Sequence, residues 1–300
     1  MGWDDYIYEK PYADAYLWEM PAWQEAALRE NIQKLARLSN ELAKRGIPLV
    51  VRMSPSKAEV YPEYLPSSYD RFVAMKQNGA YGPSWYDVFT DEIGKTDLPY
   101  YDARQLLQDM KASGEVVFTK GGTHWSLAPM KEYVNGLNAL MEPLMKRNLA
   151  RMVETDKTVE TGQMGISADS DIWDICWNCF SAPLEYPSPH ITYSTVAGEE
   201  PMRIFTVGQS FTTILMDAIY NQSEQPVWDE TDFSWYNTRV MHYPSELAWG
   251  TQLSEQTDDY AYYLDADVIL VEFLQNGDGA IQFQFADNLL QYLEAEEAAP

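Results

Sequence analysis

The sequence predicts one α/β domain whose mainly parallel sheet is covered by helices on both faces. Short β-branched runs with few polar residues alternate along the chain with stretches of helical period. Because these runs are mostly apolar, they fit strands that are buried on both faces. The chain has 300 residues, of which 46% are hydrophobic, and this composition suffices for a single large core.

The first half of the chain supplies a long helix and the first strand. Residues 1–22 are rich in Tyr, Trp and Asp, show no clear period and are predicted to form an irregular lead-in to a domain over 23–300. Apolar residues recur every three or four positions over 23–45, which predicts an amphipathic helix. A buried strand is expected at 47–53. Shorter helices are predicted over residues 69–77, 84–93 and 104–112.

The second half repeats the alternation after an interruption. Residues 116–118 are predicted to form a strand, and a helix is expected after Pro129, which suits a first helical turn. Mixed charge and prolines over 150–200 indicate an insertion of strands and loops over the core. The last predicted strands are residues 203–207 and 266–272, with helices over 211–220 and 283–296.

The charge balance excludes nucleic acid as a partner. The 21 Lys and Arg against 46 Asp and Glu give a formal charge of −25, which repels phosphate backbones. The same acidity favours a neutral polymer over a polyanionic one as a binding partner. The sequence contains no apolar run of about 18 residues, so we expect no membrane-spanning segment within it, and no signal stretch opens it.

The cysteine and histidine content argues against a metal site. Cys176 and Cys179 are the two cysteines, and the histidines at 124, 190 and 242 do not have ligand-like spacing around them. We therefore expect neither a metal nor another cofactor. The prolines that follow Cys179 indicate a loop, which favours a local disulfide or two idle thiols over a redox-active pair.

A serine stands where a buried strand turns into a helix. Residues 203–207 are strand-like, Gly208 permits a tight turn, and Ser210 begins the helical stretch. A helix amino terminus presents unpaired N–H groups and partial positive charge, which stabilise the oxyanion of acyl transfer. Ser210 is therefore a candidate nucleophile, and Gly208 is a candidate part of the oxyanion site. The alternative is that Ser210 serves only as an N-cap.

His124 is the candidate base for that serine, which is a weak nucleophile on its own. It follows the predicted strand at 116–118, and the two glycines before Thr123 let the backbone turn sharply. The alternative is a structural histidine packed beside Trp125. The other two histidines lie in less defined surroundings and rank below His124.

These motifs resemble the SGNH-hydrolase-like domain of alginate O-acetyltransferases of the AlgX and AlgJ type. Residues 42–66 look like the opening of that domain, and residues 123–125, Thr-His-Trp, match its histidine motif. Residues 208–211, Gly-Gln-Ser-Phe, match its nucleophile block, and 266–272 look like its late strand. The resemblance spans residues 23–296, and three motifs in the same order are more specific than any one of them.

The resemblance implies a three-layer SGNH-hydrolase-like fold and an extracytoplasmic enzyme, in the periplasm or at the cell surface, that is anchored to the membrane in its full-length form. In this family the serine takes an acetyl group, supplied through a membrane-bound O-acyltransferase partner, and passes it to a polysaccharide hydroxyl. Ser210 and His124 carry over directly. The family motif reads Asp-x-His, whereas Gly122 stands at the acidic position here. Asp102 and Glu272, near predicted strand ends, are candidates for the missing third acid. The alternatives are solvated or capping roles for both residues and a serine–histidine dyad without a carboxylate.

Further residues are candidates for binding an acyl oxygen or a sugar. They are Lys57, Trp125, Asn237 and Arg239. The alternatives are that Asn237 and Arg239 face water and that Lys57 ties down its own loop. The leading hypothesis is a polysaccharide O-acetyltransferase that works through an acetyl-serine intermediate. A carbohydrate acetylesterase and a non-catalytic, glycan-binding assembly subunit are the alternatives, and the aromatic content of 14% favours the second of these.

Overall fold

The computed structural model describes residues 2–161, 172, 185–194, 202–221, 226–235, 239–244, 260–275 and 284–298. Helices and strands alternate along most of this length, which confirms the predicted α/β class. The helices are α1 (Lys10–Leu17), α2 (Ala22–Ala43), α3 (Lys57–Val60), α4 (Asp70–Gln77), α5 (Trp85–Ile93), α6 (Arg104–Ala112), α7 (Met130–Met145), α8 (Ser210–Met216), α9 (Tyr260–Tyr263) and α10 (Phe285–Ala298). The strands are β1 (Leu49–Ser54), β2 (Tyr100–Asp102), β3 (Arg151–Thr161), β4 (Glu185–Ser194), β5 (Arg203–Gly208), β6 (Glu230–Trp235), β7 (Arg239–Tyr243) and β8 (Val268–Leu274).

The central sheet of the described residues has the strand order β2-β1-β8-β5-β6-β7. All neighbouring strands are parallel except β6 and β7, which are antiparallel. The predicted mainly parallel sheet is therefore confirmed. Because the strands are parallel, the carboxyl ends of β1, β8, β5 and β6 lie along one edge of the sheet, where open α/β sheets bind their ligands.

Two apolar cores lie on opposite faces of this sheet, which gives the domain three layers. Side chains alternate along β1, so that Val51 and Met53 enter one core while Val50 enters the other. Helices α2, α5 and α10 cover the first face. Helices α7 and α8 cover the second face.

The long helix α2 forms where the apolar spacing predicted it. Its buried stripe is fully inaccessible to solvent and consists of Leu28, Ile32, Leu35, Leu38 and Leu42. Side chains of this size stabilise the fold by about 1.5–3 kcal/mol each when fully buried. Beyond the helix, Gly46 has a φ of +78°, a left-handed conformation that glycine adopts without strain. The chain can then turn directly into β1.

An antiparallel hairpin of β3 and β4 occupies the described part of the predicted insertion at 150–200. It is tied to α7 by two asparagines. The side-chain amide of Asn135 donates to the carbonyl of Met152 at 2.9 Å, and that of Asn138 donates to Ala150 at 2.8 Å. These bonds satisfy backbone groups at the start of β3 and fix the hairpin against the second face of the sheet.

Glu142 of α7 stabilises the same junction in a pH-dependent way. Its carboxylate accepts hydrogen bonds from Arg151 at 2.7 Å and from the Leu149 N–H at 2.9 Å. The hydrogen bond from Arg151 holds the pKa of Glu142 below its usual value. Because the pKa is lower in the folded chain, the stabilisation is present above the unfolded pKa and is lost as the pH falls through the folded pKa. Glu142→Gln is expected to lower the free energy of unfolding by about 1 kcal/mol near pH 7.

Urea titrations of both proteins near pH 7 and at about pH 2 measure this difference. The two proteins should differ near neutral pH and converge in acid, where the native carboxylate is also protonated. An equal difference at both pH values would show that the Glu142 charge contributes nothing.

Two predictions about local structure are wrong. Residues 116–118 do not join the sheet, and Phe118 makes only an isolated bridge with Trp125. Val117 and Phe118 are fully buried, and a short buried apolar run has the same pattern whether or not it is a strand. Within the lead-in at 1–22, which was expected to be irregular, α1 forms a helix that begins at Lys10. Its second residue is a proline and it buries Tyr12, Ala13, Tyr16 and Leu17, which is the spacing of a helical face.

The sequence did not predict β2, β6 or β7. Strand β6 is the most informative of these because it is buried and yet carries polar residues. Asp232 in β6 accepts hydrogen bonds from Arg203 of β5 at 3.0 and 3.2 Å, and it pairs with His242 of β7. A carboxylate is therefore tolerated in the sheet because Arg203 pairs with its charge and both neighbouring strands supply hydrogen-bond partners.

Candidate active site

The candidate site lies at the carboxyl edge of the central parallel strands. Strand β5 ends at Gly208, and α8 begins at Ser210, so that a single residue, Gln209, connects them. The predicted strand-to-helix turn is therefore present. Ser210 is half-buried, whereas Gln209 before it and Phe211 after it are buried. The serine hydroxyl is thus carried by a fixed turn at the edge where ligands have access.

The histidine loop, residues 119–126, is held at the same edge. The indole N–H of Trp125 donates to the carbonyl of Pro55 at 3.1 Å, in the loop that follows β1. The Trp125 ring also packs edge-on against Tyr133 of α7, with centroids 4.9 Å apart. Trp125 is therefore an anchor buried under the loop, and this position does not fit its predicted role in binding substrate.

Phe211 joins the serine and histidine motifs. Its ring lies against the His124 ring with centroids 4.7 Å apart, and against Trp125 at 5.6 Å. Phe211 directly follows Ser210 and is 2% exposed. The residue beside the candidate nucleophile is therefore in contact with the candidate base. The structure brings together the two motifs that the sequence paired.

Residues 7–9, near the start of the chain, are hydrogen-bonded to the histidine loop. The N–H of Ile7 donates to the carbonyl of Lys120 at 3.0 Å. The hydroxyl of Thr123, directly before the histidine, donates to Glu9 at 2.8 Å. Glu9 is a carboxylate beside the loop that the sequence did not single out, because it lies far away along the chain in a segment without a motif.

Lys57 connects this N-terminal segment with the histidine loop. It is 4% exposed, and its ammonium group donates to the carbonyls of Ile7 at 3.1 Å and Lys120 at 3.4 Å. The ammonium also lies 5.6 Å from the centre of the Tyr8 ring, within the range of a cation–π contact. These contacts give Lys57 a structural role that extends beyond its own loop.

Replacing Lys57 with methionine is expected to loosen the histidine loop, because the carbonyls of Ile7 and Lys120 each lose a hydrogen bond while the buried stem keeps its volume. Amide hydrogen exchange in residues 119–124 should become about tenfold faster. Lys95→Met is the matched control, since Lys95 is exposed, pairs with Asp91 and Glu92 and makes no contact with the histidine loop through these pairs, and it should leave this exchange unchanged. Equal protection of the loop in wild type and Lys57→Met would contradict the assignment.

Glu272 is buried in β8, and its carboxylate is fully engaged. Oε1 accepts hydrogen bonds from Arg52 at 3.0 Å and from Ser54 at 2.7 Å. Oε2 accepts from the Gln209 N–H and from the Thr212 hydroxyl, both at 2.8 Å. A carboxylate offers about four lone-pair sites, so these four donors occupy all of them. This arrangement argues against the predicted role of Glu272 as the acid that orients His124.

Asp102 lies at the end of β2, the edge strand of the sheet. Its carboxylate accepts from the Tyr86 hydroxyl and from the Arg104 N–H at 2.9 Å, so it caps the start of α6. Burial raises its pKa, while the contacts with Arg104 oppose that rise. Three strand spacings separate β2 from β5, which is about 14 Å. A capping role therefore explains Asp102 better than contact with His124.

Comparison with known proteins shows which family the first half of the chain is similar to. Residues 12–156 match the family model described as "SGNH hydrolase-like domain, acetyltransferase AlgX". The probable alginate O-acetylase AlgJ of Pseudomonas aeruginosa is 29% identical over 106 residues, which is 35% of this chain and 25% of that protein. Both matches show that this part of the chain is similar to the AlgX and AlgJ-like family. The resemblance that the motifs predicted is thereby confirmed.

Solved structures agree with this AlgX-like assignment at the level of the fold. The O-acetyltransferase domain of Pseudomonas putida AlgJ superposes with a TM-score of 0.58 at 16% identity, covering 100% of this chain and 98% of that one. Pseudomonas aeruginosa AlgX gives a TM-score of 0.54 at 16% identity, covering 96% of this chain and 65% of that one. The three-layer, SGNH-like fold is therefore shared over nearly the whole sequence.

The remaining candidate residues are Gly208, Arg239, Asn237 and the two cysteines. At Gly208, an added Cβ would lie 2.0 Å from the Thr212 hydroxyl, so the glycine provides room for packing beneath the turn. Arg239 lies in β7 opposite Trp235, and its side chain is outside the described part. Asn237, Cys176 and Cys179 also lie outside the described residues.

The other two histidines, His190 and His242, lie away from the histidine loop. His190 is exposed on the β3–β4 hairpin, and His242 pairs with Asp232 across β6 and β7. The described residues contain no group of three or more His, Cys, Asp or Glu side chains that could hold a metal ion. Across the same ranges, no helix has the length and apolar character needed to cross a bilayer.

Arg52 and Thr212 are site residues that the sequence analysis missed. Arg52 is a fully buried arginine in β1, directly opposite Glu272 in the strand register. Burial disfavours its charge, but Glu272 and Tyr133 outweigh that effect, so that the pKa of Arg52 rises above its ordinary value. A signal was available, because Arg52 and Glu272 each stand next to a run of apolar residues in a predicted strand, and charges in such strands are buried only in pairs.

Proposed function

We propose that this chain transfers acetyl groups to hydroxyls of a polysaccharide through an acetyl ester on Ser210. The contact between His124 and Phe211, 4.7 Å between ring centroids, carries the proposal because it brings the candidate base onto the residue next to the nucleophile. The similarity to the O-acetyltransferase domain of P. putida AlgJ supports acetyl as the transferred group. The match with the AlgX family model supports an acetyltransferase.

The reaction follows in two half-reactions. In the first, His124 accepts the hydroxyl proton of Ser210 while the serine oxygen attacks the carbonyl carbon of the acetyl donor. The leaving group departs with the proton from the imidazolium, and the acetyl group remains on Ser210 as an ester. In the second, His124 takes the proton of a sugar hydroxyl, whose oxygen attacks the ester carbonyl. That proton returns to Ser210, and the acetylated sugar leaves.

The negative charge that forms on the acetyl carbonyl oxygen needs a donor close to Ser210. The Ser210 backbone N–H belongs to the first turn of α8, where N–H groups have no partner within the helix. We assign it as a donor to the oxyanion in both half-reactions. The rigid turn between β5 and α8 keeps this N–H and the Ser210 hydroxyl in a fixed relation, so that little reorganisation is needed during the reaction.

Three further parts of the proposal concern the setting of the enzyme. The formal charge of −25 favours a neutral polysaccharide as acceptor. The resemblance to the AlgX and AlgJ type supports a membrane-bound O-acyltransferase as the partner that supplies acetyl groups. It also supports an extracytoplasmic location with a membrane anchor in the full-length protein.

Incubation with p-nitrophenyl acetate and short oligosaccharides tests the proposal. Mass spectrometry of the glycans should show acetylation of a neutral oligosaccharide in preference to a uronic-acid one, and both Ser210→Ala and His124→Ala should abolish it. Acetate release that depends on Ser210 without any glycan product would identify an acetylesterase instead. Glycan binding without turnover in wild type would overturn the catalytic proposal in favour of a binding subunit.

A further inference from the structure

A buried ion pair lies directly beneath the nucleophile turn. Arg52 of β1 and Glu272 of β8 are register partners in adjacent strands, both side chains are 0% exposed, and their closest atoms are 3.0 Å apart. Removing two charges from water costs more than a pair of this kind commonly returns, and apolar residues of similar volume often stabilise a fold equally well. Stability alone therefore gives little reason for a charged pair at this position.

The carboxylate of the pair holds the nucleophile turn on both sides of Ser210. Its Oε2 atom accepts the N–H of Gln209, which precedes the serine, at 2.8 Å. The same oxygen accepts the hydroxyl of Thr212, which follows the serine by two residues, also at 2.8 Å. Hydrogen bonds to an ionised acceptor are about twice as strong as neutral ones. The two bonds therefore fix the end of β5 relative to the first turn of α8.

Arg52 pairs with that carboxylate and orients its partners. The guanidinium Nη1 donates to Oε1 of Glu272, and Nη2 donates to the hydroxyl oxygen of Thr212. The threonine hydroxyl thus accepts from Arg52 and donates to Glu272, so its proton has a single direction. Tyr133 accepts a further bond from Arg52 at 3.4 Å. The result is a closed network in which Thr212 has one preferred rotamer.

The turn itself is shaped to admit this carboxylate. A Cβ on residue 208 would lie 2.0 Å from Oγ1 of Thr212, a distance that real Cβ atoms do not tolerate, and 3.0 Å from Oε2 of Glu272, which is tighter than most Cβ contacts. Glycine at this position therefore allows the close approach of both groups. The glycine of the Gly-Gln-Ser-Phe motif has a second use beyond the sharp turn, because it provides the space through which Glu272 reaches the Gln209 N–H.

We propose that Glu272, neutralised by Arg52 and acting through Gln209 and Thr212, is a positioning residue that holds Ser210 in place for His124. The inference rests on the proposed function, since Ser210 needs a fixed position only if it reacts. Glu272 touches neither substrate nor the reacting atoms in this scheme. Glu272 affects the rate by preventing displacement of Ser210, because displacement of a nucleophile by about 1 Å costs roughly 10²-fold in rate.

The test uses Thr212→Val, which removes one of the two bonds and leaves the Arg52–Glu272 pair intact. Amide hydrogen exchange at residues 209–211 is expected to become about tenfold faster than in wild type. With p-nitrophenyl acetate, kcat should fall by roughly 10- to 100-fold while KM stays within about twofold, because only the alignment of the nucleophile changes. Thr212→Ser keeps the hydroxyl and should restore both the exchange protection and kcat.

Two further variants make the outcome specific. Ser54→Ala removes a donor from Oε1, the carboxylate oxygen that faces away from the turn, and should leave the exchange of 209–211 unchanged. Glu272→Gln removes the charge and should loosen the turn more than Thr212→Val does.

Unchanged exchange at 209–211 in both Thr212→Val and Glu272→Gln would overturn the inference, as would a loss of kcat that Thr212→Ser does not reverse. Absence of Ser210-dependent turnover in wild type would overturn the proposed function instead. The exchange measurement alone would then test whether Glu272 fixes the turn at residues 209–211.

Discussion

Ser210→Ala is expected to lower acetyl turnover by at least about 10³-fold while leaving the fold unchanged. The half-buried Ser210 begins α8, and its hydroxyl is the atom that carries the acetyl group in the proposed reaction. Alanine retains the helix and removes only that oxygen. Initial rates with p-nitrophenyl acetate measure the loss of turnover. The melting temperature and circular dichroism show whether the fold is unchanged.

Thr213→Val is the matched control for this variant. Thr213 lies in the same helix and is 4% exposed, and within the described residues its hydroxyl has no hydrogen-bond partner. Replacing an unpaired hydroxyl with a methyl group should leave both the rate and the stability close to wild type. Turnover in Ser210→Ala that equals that of Thr213→Val would show that the chemistry occurs elsewhere.

Arg52→Met is expected to give the largest loss of stability. It removes the cation from a pair whose side chains are both fully buried, and it leaves the Glu272 carboxylate in the sheet without a neutralising charge. Breaking one partner of such a pair costs about 3–5 kcal/mol, most of it from the charge that remains. Equilibrium unfolding in urea near pH 7, with two-state behaviour checked by two probes, gives the free energy of unfolding.

Arg37→Met provides the comparison for Arg52→Met. Arg37 also pairs with a glutamate, Glu294, but the two side chains are 62% and 59% exposed. Solvent-exposed pairs contribute about 0–1 kcal/mol, so this substitution should change the free energy of unfolding very little. A similar effect of the two substitutions would contradict the view that the Arg52–Glu272 pair is a buried, mutually dependent unit.

Most of the central layers was predictable because local patterns and burial agree there. The apolar stripe of α2 has the helical period, whereas β1 and β8 are largely continuous apolar runs. Each of these elements forms close to its predicted position. Strand β6 was missed because its polar side chains hide the pattern. Asp232 is stabilised there by Arg203 and His242 from the neighbouring strands, which a local pattern does not show.

The site was predictable to the extent that its chemistry lies in short motifs. Ser210 and His124 stand in glycine-containing turns beside apolar runs, and both lie at the expected edge of the sheet. The supporting residues were harder to find. Glu9 and Lys57 act on the histidine loop from distant parts of the chain, so tertiary contacts alone show their roles. The pairing of Arg52 with Glu272 was visible in principle as a charge beside the apolar run of each strand, whereas Glu272 was predicted as one of two candidate acids for His124.

Trapping of the acetyl-enzyme tests the central claim most directly. Wild type is mixed with p-nitrophenyl acetate without an acceptor, quenched in acid, weighed as an intact protein and mapped by peptide mass spectrometry. The account predicts one acetyl group, located on Ser210, that is absent from Ser210→Ala and that an acceptor glycan removes. Turnover without an acetyl group on Ser210, or with the acetyl group on another residue in wild type and Ser210→Ala alike, would contradict it.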